Sequence, residues 1–218
     1  MNTSRVLLAL DLSTPRGAIA VVRGSEVLFE ANFTAHRSHN AQLFEPLRAG
    51  LRAAGEELSG IVIGTGPGSY TGVRIAISAA QGVSMSRNVP VMGIPSLLAP
   101  AAAEDRQDFC IVGDARRDSS FAAVVRAGKL AEEGIQLMPT SELESWSKGH
   151  HDLPLFTFDE PTSKVVAATF THPCPIRLAE TAMCEMDGEP AQNSGEKLEP
   201  IYLREAFITV AKPRVTRL

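Results

Sequence analysis

The sequence predicts an α/β fold of two related lobes, each a mixed β-sheet with helices packed on its faces. Three observations carry that expectation. Residues 6–12 form an almost unbroken apolar run, the signature of a strand covered on both faces. The first hundred residues alternate strand and helix patterns in the order βββαβαβα. Finally, residues 11–30, DLSTPRGAIAVVRGSEVLFE, return at 114–133 as DARRDSSFAAVVRAGKLAEE, 103 positions later (114 minus 11). Within that repeat Ala20-Val21-Val22-Arg23 matches Ala123-Val124-Val125-Arg126 without a gap. The expected units are an N-terminal βββαβαβα lobe over 1–106 and a reduced C-terminal lobe over 107–218.

Taken in order, residues 6–12 form a central strand, and 17–23 and 26–33 add to it as a meander. Gly24-Ser25 joins the last two, with glycine first as a type II′ turn requires. Ser38 is placed to cap a helix in which Leu43, Leu47 and Leu51 recur every four residues, ending near Gly55. A short β-rich strand at 61–65 runs into a turn over 64–72, and a helical pattern resumes at 73–85. A strand at 90–94 and a helix at 96–103 complete the first lobe. The second opens with a strand at Phe109 and the repeated hairpin, then a helix at 142–148, a strand at 153–158 and a helix at 176–186.

Composition narrows the function. The 218 residues, 44% hydrophobic and 21% charged, suffice for one full-sized core or two modest ones. With 21 basic against 25 acidic residues, the net charge of -4 disfavours a domain that grips nucleic acid alone. Cys110, Cys174 and Cys184 are odd in number and never spaced as CxxC, which argues against a disulfide framework or a cysteine-rich zinc site. The apolar run at 6–12 is too short for a signal peptide, and Pro90, Pro95 and Pro100 interrupt the stretch 89–103. A cytoplasmic protein without a membrane segment is expected.

In each half a strand ends in an aspartate, Asp11 or Asp114, and a β-hairpin follows. This layout resembles the actin, sugar kinase and Hsp70 (ASKHA, ribonuclease H-like) superfamily, and implies that fold. Its members hold a nucleotide between the lobes, at glycine-rich turns beside those aspartates. Here the turns read Asp11-Leu12-Ser13-Thr14-Pro15-Arg16-Gly17 and Asp114-Ala115-Arg116-Arg117-Asp118-Ser119-Ser120. Side chains and a proline stand where bare backbone would have to approach phosphate. No nucleotide cofactor is therefore expected, and Asp11 and Asp114 read as structural.

The densest motif is Gly66-Pro67-Gly68-Ser69-Tyr70-Thr71-Gly72-Val73-Arg74-Ile75. Glycines and hydroxyls at a strand-to-helix junction could cradle an anion. The spacing nevertheless fits neither GxxxxGK[ST] nor GxGxxG nor GxSxG, so by spacing alone it is a structural turn. As a word, it resembles the GPGS(F/Y)TG(L/V)RIG signature of the TsaB family, also called YeaZ. Further words follow in order: Leu8-Ala9-Leu10-Asp11-Leu12-Ser13-Thr14 resembles the family's LALDTST. His39 with Leu43 and Pro46 resembles HSxxLxPxI, Gln81-Gly82 continues the signature helix, and 90–97 resembles PVxGVSSL. Asp114-Ala115-Arg116-Arg117 is similar to DARRxEVY, and Pro200-Ile201-Tyr202-Leu203-Arg204 to PxYLR. The chain departs from the pattern at Ala76, usually Gly, at Pro15-Arg16, and at Ser119-Ser120-Phe121. Residues 150–195 match little of it.

The resemblance implies a cytoplasmic, non-catalytic subunit that pairs with TsaD, the larger relative carrying the metal and the transferase site. TsaE supplies an ATPase to that complex, whose product is N6-threonylcarbamoyladenosine in tRNA. The residues agree: no acid/base pair or nucleophile with its base is recognisable, so no catalytic residue is assigned. The alternative is an independent superfamily enzyme, a small kinase or an M22-type metalloprotease. A metal site needs at least three converging ligands. His36 and His39 have no acidic residue between them, and His150, His151 and His172 lie far along the chain, so no metal is expected.

The partner surface is expected on two helices. Ala76, Ala79, Ala80, Gly82 and Ser84 put small residues on more than one face of the second, while Leu43, Leu47 and Leu51 stripe the first. The candidate interface is His39, Leu43, Leu47, Leu51, Gly72, Arg74, Ala76, Ala79, Ala80 and Val83. It would serve a homodimer when the chain is alone and the TsaD-like subunit in the complex. The basic tail at 212–217 is expected to be solvated, with tRNA held only by the assembled complex.

Overall fold

A computed structural model describes residues 5–34, 39–186 and 198–204, and for 39–41 the backbone alone. Two five-stranded mixed sheets repeat one topology. The first contains β1 (Val6–Asp11), β2 (Arg16–Arg23), β3 (Glu26–Thr34), β4 (Leu58–Gly64) and β5 (Val91–Ile94), in the order β3-β2-β1-β4-β5. The second contains β6 (Phe109–Asp114), β7 (Ser119–Arg126), β8 (Lys129–Pro139), β9 (Leu155–Thr157) and β10 (Thr169–Phe170), in the order β10-β9-β6-β7-β8. Read from β8, it repeats the first sheet strand for strand. Each has an antiparallel meander followed by two parallel strands. The sequence repeat falls on equivalent elements: β2 and β7 end at the matched arginines Arg23 and Arg126. The expectation of an α/β fold of two related lobes, each a mixed sheet with helices on its faces, holds.

The first hairpin turns at Gly24, whose φ of 57° supplies the left-handed residue expected there. Its counterpart uses Ala127 and Gly128, with φ of 49° and 73°, the pair of positive angles of a type I′ turn.

Among the described residues five α-helices cover the sheets: α1 (His39–Ala54), α2 (Tyr70–Arg87), α3 (Leu143–Gly149), α4 (Glu160–Val165) and α5 (Pro175–Met186). The alternation along β1 explains the layers. Val6, Leu8 and Leu10 face one side and pack with Leu43 and Leu47 of α1 and Val73, Ala76, Ile77 and Ala80 of α2. Leu7 and Ala9 face the other and join a core that reaches Phe109 and Ile111 of β6. Here α5 packs on β1, β2 and β4, bringing Leu178, Ala179, Ala182 and Met183 between the sheets. A smaller cluster of Val112, Ala122, Leu143 and Val166 puts α3 against the outer face of the second sheet.

Four elements differ from expectation. Helix α2 starts at Tyr70 rather than at 73, because Ser69 caps it: its hydroxyl accepts from the Gly72 N–H at 3.1 Å. The segment 96–103 is two short 3-10 turns, Ser96–Leu98 and Ala101–Ala103, rather than one helix. Pro100, between them, cannot donate to a continuing helix and instead forms an antiparallel bridge with Pro173. The short α4 and β10 were not foreseen. Ser38 lies outside the described residues, as does the tail at 212–217. Among the described residues no helix is long and apolar enough to cross a membrane.

Candidate functional site

The signature turn packs against the end of β1. A Cβ on Gly68 would stand 2.1 Å from the Ser13 carbonyl oxygen, and one on Gly72 would stand 2.0 Å from that of Leu12. Only glycine allows this approach, which is sealed by the Ser69 N–H donating to the Ser13 carbonyl at 2.6 Å. The Gly66–Pro67 peptide is cis. Ser69 thus occupies the Gly72 N–H, and its carbonyl takes the Val73 N–H at 3.0 Å as the first bond of α2.

Asp11, buried at the end of β1, ties three segments together. Its Oδ1 accepts from the Ser13 N–H at 2.7 Å and the Ser13 hydroxyl at 2.6 Å; its Oδ2 accepts from the Ser96 hydroxyl at 2.5 Å. Ser96 Oγ in turn accepts from the Gly66 N–H at 2.9 Å. Burial pushes the Asp11 carboxyl above the usual range, and the hydrogen bonds from Ser13 and Ser96 oppose the rise. Asp114 is placed differently. It is partly exposed and takes the Arg116 N–H at 2.7 Å and its guanidinium at 3.1 Å. Arg116, Arg117 and Asp118 follow with φ of 65°, 56° and 56°, three consecutive non-glycine residues in the left-handed region.

Two concavities result. A cleft of about 720 Å³ lies between the lobes, lined on one side by Ser13 and Gly68, on the other by Asp114 and Arg116, and bordered by Tyr202 and Arg204. A groove of about 670 Å³ adjoins it between α1 and α2, sharing Tyr70 and Thr71 with the cleft. Leu43 and Leu47 line its floor, Ile75, Ala79 and Gly82 its wall, and Phe44 stands at its edge 62% exposed.

The structure distributes the sequence-predicted residues between two faces. Leu43, Leu47, Arg74, Ala79 and Val83 line the groove. Leu51 is half-buried against the first lobe's core, while Gly72, Ala76 and Ala80 are buried toward the sheet, where their small size lets α2 lie close to it. Of the signature turn, Pro67, Gly68, Ser69, Tyr70 and Thr71 line the cleft, and Gly66 is buried behind it. The His39 side chain lies outside the described residues. Sequence reasoning missed Phe44, Ile75 and Ser78. The signal was present in the spacing of 75, 78, 79 and 82, one face of a helix by the i, i+3, i+4, i+7 rule.

His150 and His151 have local hydrogen-bond partners. His150 stacks on Trp146 with centroids 4.1 Å apart, and its Nδ1 lies 2.9 Å from the Trp146 carbonyl. His172 has its pKa lowered by burial and then by the charge of Arg16. His36 lies outside the described residues, and among those described no three His, Cys, Asp or Glu side chains converge as a metal site would need.

Comparison with known proteins adds three findings. The family model described as TsaD, tRNA N6-adenosine threonylcarbamoyltransferase, matches residues 33–138. Two relatives carry the name tRNA threonylcarbamoyladenosine biosynthesis protein TsaB. That of Bacillus subtilis is 32% identical over 123 residues, 54% of each chain, and that of Haemophilus influenzae is 35% identical over 129 residues, 55% of this chain and 54% of the relative. The chain thus matches about half the length of these curated relatives. Among solved structures, YeaZ from Pseudomonas aeruginosa shares the fold with a TM-score of 0.69 at 23% identity, covering 91% of this chain and 100% of that one.

Proposed function

We propose that this chain, which belongs to the TsaB/YeaZ family, is a non-catalytic partner subunit that binds a TsaD-like subunit and so supports transfer of a threonylcarbamoyl group to N6 of adenosine in tRNA. The observation that carries the reading is the apolar groove between α1 and α2, with Phe44 at its edge and the small residues Ala79 and Gly82 along its wall. Small side chains let a second helix approach closely, and an exposed aromatic supplies the anchor typical of a binding hot spot. The same face would join two copies of the chain when the partner is absent, in an isologous contact.

The non-catalytic assignment is supported by the hydrogen bonding of Asp11. Both its oxygens are occupied by the chain's own Ser13 and Ser96, and glycine is absent from the turn at Asp114. In this reading the TsaD-like subunit supplies the metal and the transferase site, and a TsaE-like ATPase and tRNA join through the assembled complex. The complex is cytoplasmic. Within this chain, the units 1–106 and 107–218 are the two lobes, with α5 of the second reaching back onto the first sheet.

Sedimentation tests the reading. Mixing the purified chain with its TsaD-like partner gives a new, faster species. Unchanged sedimentation of both proteins refutes the pairing, and ATP turnover by this chain alone would favour the small-kinase alternative.

A further inference from the structure

At the end of the groove three side chains from distant parts of the sequence form one cluster. Arg74, on α2, places its guanidinium carbon 4.1 Å from the Tyr70 ring centroid, and its Nε donates to the Tyr202 hydroxyl at 2.9 Å. The two tyrosine rings lie 5.3 Å apart. Tyr202 is held there by its own segment: the Ile201 N–H donates to the Thr65 carbonyl at 2.9 Å, and Leu198 packs on the first lobe's core. The segment 198–204 is thereby strapped across the signature turn, with Tyr202 facing the helix.

Arg74 lines a mostly apolar groove, and among the described residues no carboxylate pairs with it. Its Nε is engaged by Tyr202 and one face of the guanidinium by Tyr70, which removes much of the side chain's rotational freedom. Among the described residues neither Nη group has a hydrogen-bond partner, so both are donors there. A cation held in one orientation beside an apolar surface loses less entropy on pairing than a free one, and a guanidinium fork matches a carboxylate geometrically.

We propose that Arg74 is the specificity contact of this face, reading an Asp or Glu carboxylate that the partner presents beside its apolar side chains, and that Tyr202 is a positioning residue that acts through Arg74. The inference rests on the reading of the groove as the docking face. It adds the C-terminal segment to that face and gives the partner's chemistry: an apolar surface with one carboxylate at the Arg74 end.

The test is calorimetric titration of the purified TsaD-like subunit into the wild-type chain and into the Phe44→Ala, Arg74→Ala, Tyr202→Phe and Arg74→Ala/Tyr202→Phe variants, at low and high salt. Tyr202→Phe keeps the ring against Tyr70 and removes only the hydroxyl. Tyr70, Arg74 and Tyr202 are exposed, so the variants retain the wild-type circular dichroism and thermal midpoint. Arg74→Ala weakens binding about thirtyfold and Tyr202→Phe about fivefold. The double variant is no weaker than Arg74→Ala alone, and the wild-type affinity falls more steeply with salt than that of Arg74→Ala. Additive losses in the double variant would overturn the positioning role. If Phe44→Ala weakens binding while Arg74→Ala and Tyr202→Phe bind as wild type, the inference fails and the docking face stands. If Phe44→Ala also binds as wild type, the docking face fails and the inference with it.

Discussion

One substitution made at two glycines of α2 is expected to act with opposite signs. At Gly72 a new Cβ would lie 2.0 Å from the Leu12 carbonyl oxygen and 3.1 Å from Ser69 Oγ. The backbone of Leu12 or of the helix must retreat by about 1 Å to restore a normal contact. That retreat costs about 1–3 kcal/mol as overpacking. It also weakens the Ser69 cap, about 1 kcal/mol, and the bond from the Ser69 N–H to Ser13, about 1 kcal/mol. Alanine's better helix propensity returns about 1 kcal/mol. The net loss is about 2–4 kcal/mol. At Gly82 a Cβ meets nothing within 4 Å, so Gly82→Ala keeps only the propensity gain and stabilises the chain by about 0.5–1 kcal/mol. Urea unfolding followed by circular dichroism reads both. The midpoint of Gly72→Ala falls by about 1–2 M and that of Gly82→Ala rises, with slopes unchanged. Two shifts of the same sign, or a Gly72→Ala variant as stable as wild type, would refute the close-approach explanation of the signature.

Three other outcomes follow from the same structure. Because burial raises the Asp11 carboxyl above the usual range, the native state holds that proton more tightly than the unfolded chain. The contribution of Asp11 to stability is therefore greatest below the ordinary carboxylate pKa and declines as pH rises through the raised native value, and Asp11→Asn flattens that part of the stability profile; an identical slope in the variant would contradict it. Ser69→Ala removes the cap of α2 and lowers stability by about 1 kcal/mol in a urea titration, whereas an unchanged midpoint would mean that Ser69 contributes little. The Cys110 thiol, buried and pushed up to about 11, stays unmodified by a thiol reagent at pH 8 until the chain unfolds, while exposed Cys184 reacts in the native state; equal rates would show that β6 opens readily.

The first lobe was legible because its elements are strongly patterned and close in sequence. The unbroken apolar run at 6–12, the glycine turn at 24 and the four-residue leucine period each carry a local physical signal, and the repeat transfers that reading to β6, β7 and β8. Short elements were less visible. With six residues in α4 and two in β10, there is too little periodicity to register. The prolines at 95 and 100 interrupt the hydrophobic stretch, and they also divide 96–103 into two 3-10 turns.

At the candidate site, the signature fixed the place but not the roles of its residues. Small residues at 76, 79, 80 and 82 gave no indication of which turn toward the sheet and which toward the groove; that depends on how α2 rotates onto β4. Phe44 lies beside Leu43 yet off the leucine stripe, and its exposure is a tertiary property. The contact between Arg74 and Tyr202 joins residues 128 positions apart and has no local signature at all.

As proposed above, this chain supports N6-threonylcarbamoyladenosine formation as a subunit rather than as an enzyme of another kind. Mass spectrometry of nucleosides from bulk tRNA tests it most directly, in cells depleted of the chain and in the same cells given it back. The modified nucleoside is expected to fall toward background on depletion and to return with the wild-type chain. An unchanged level in depleted cells would contradict it.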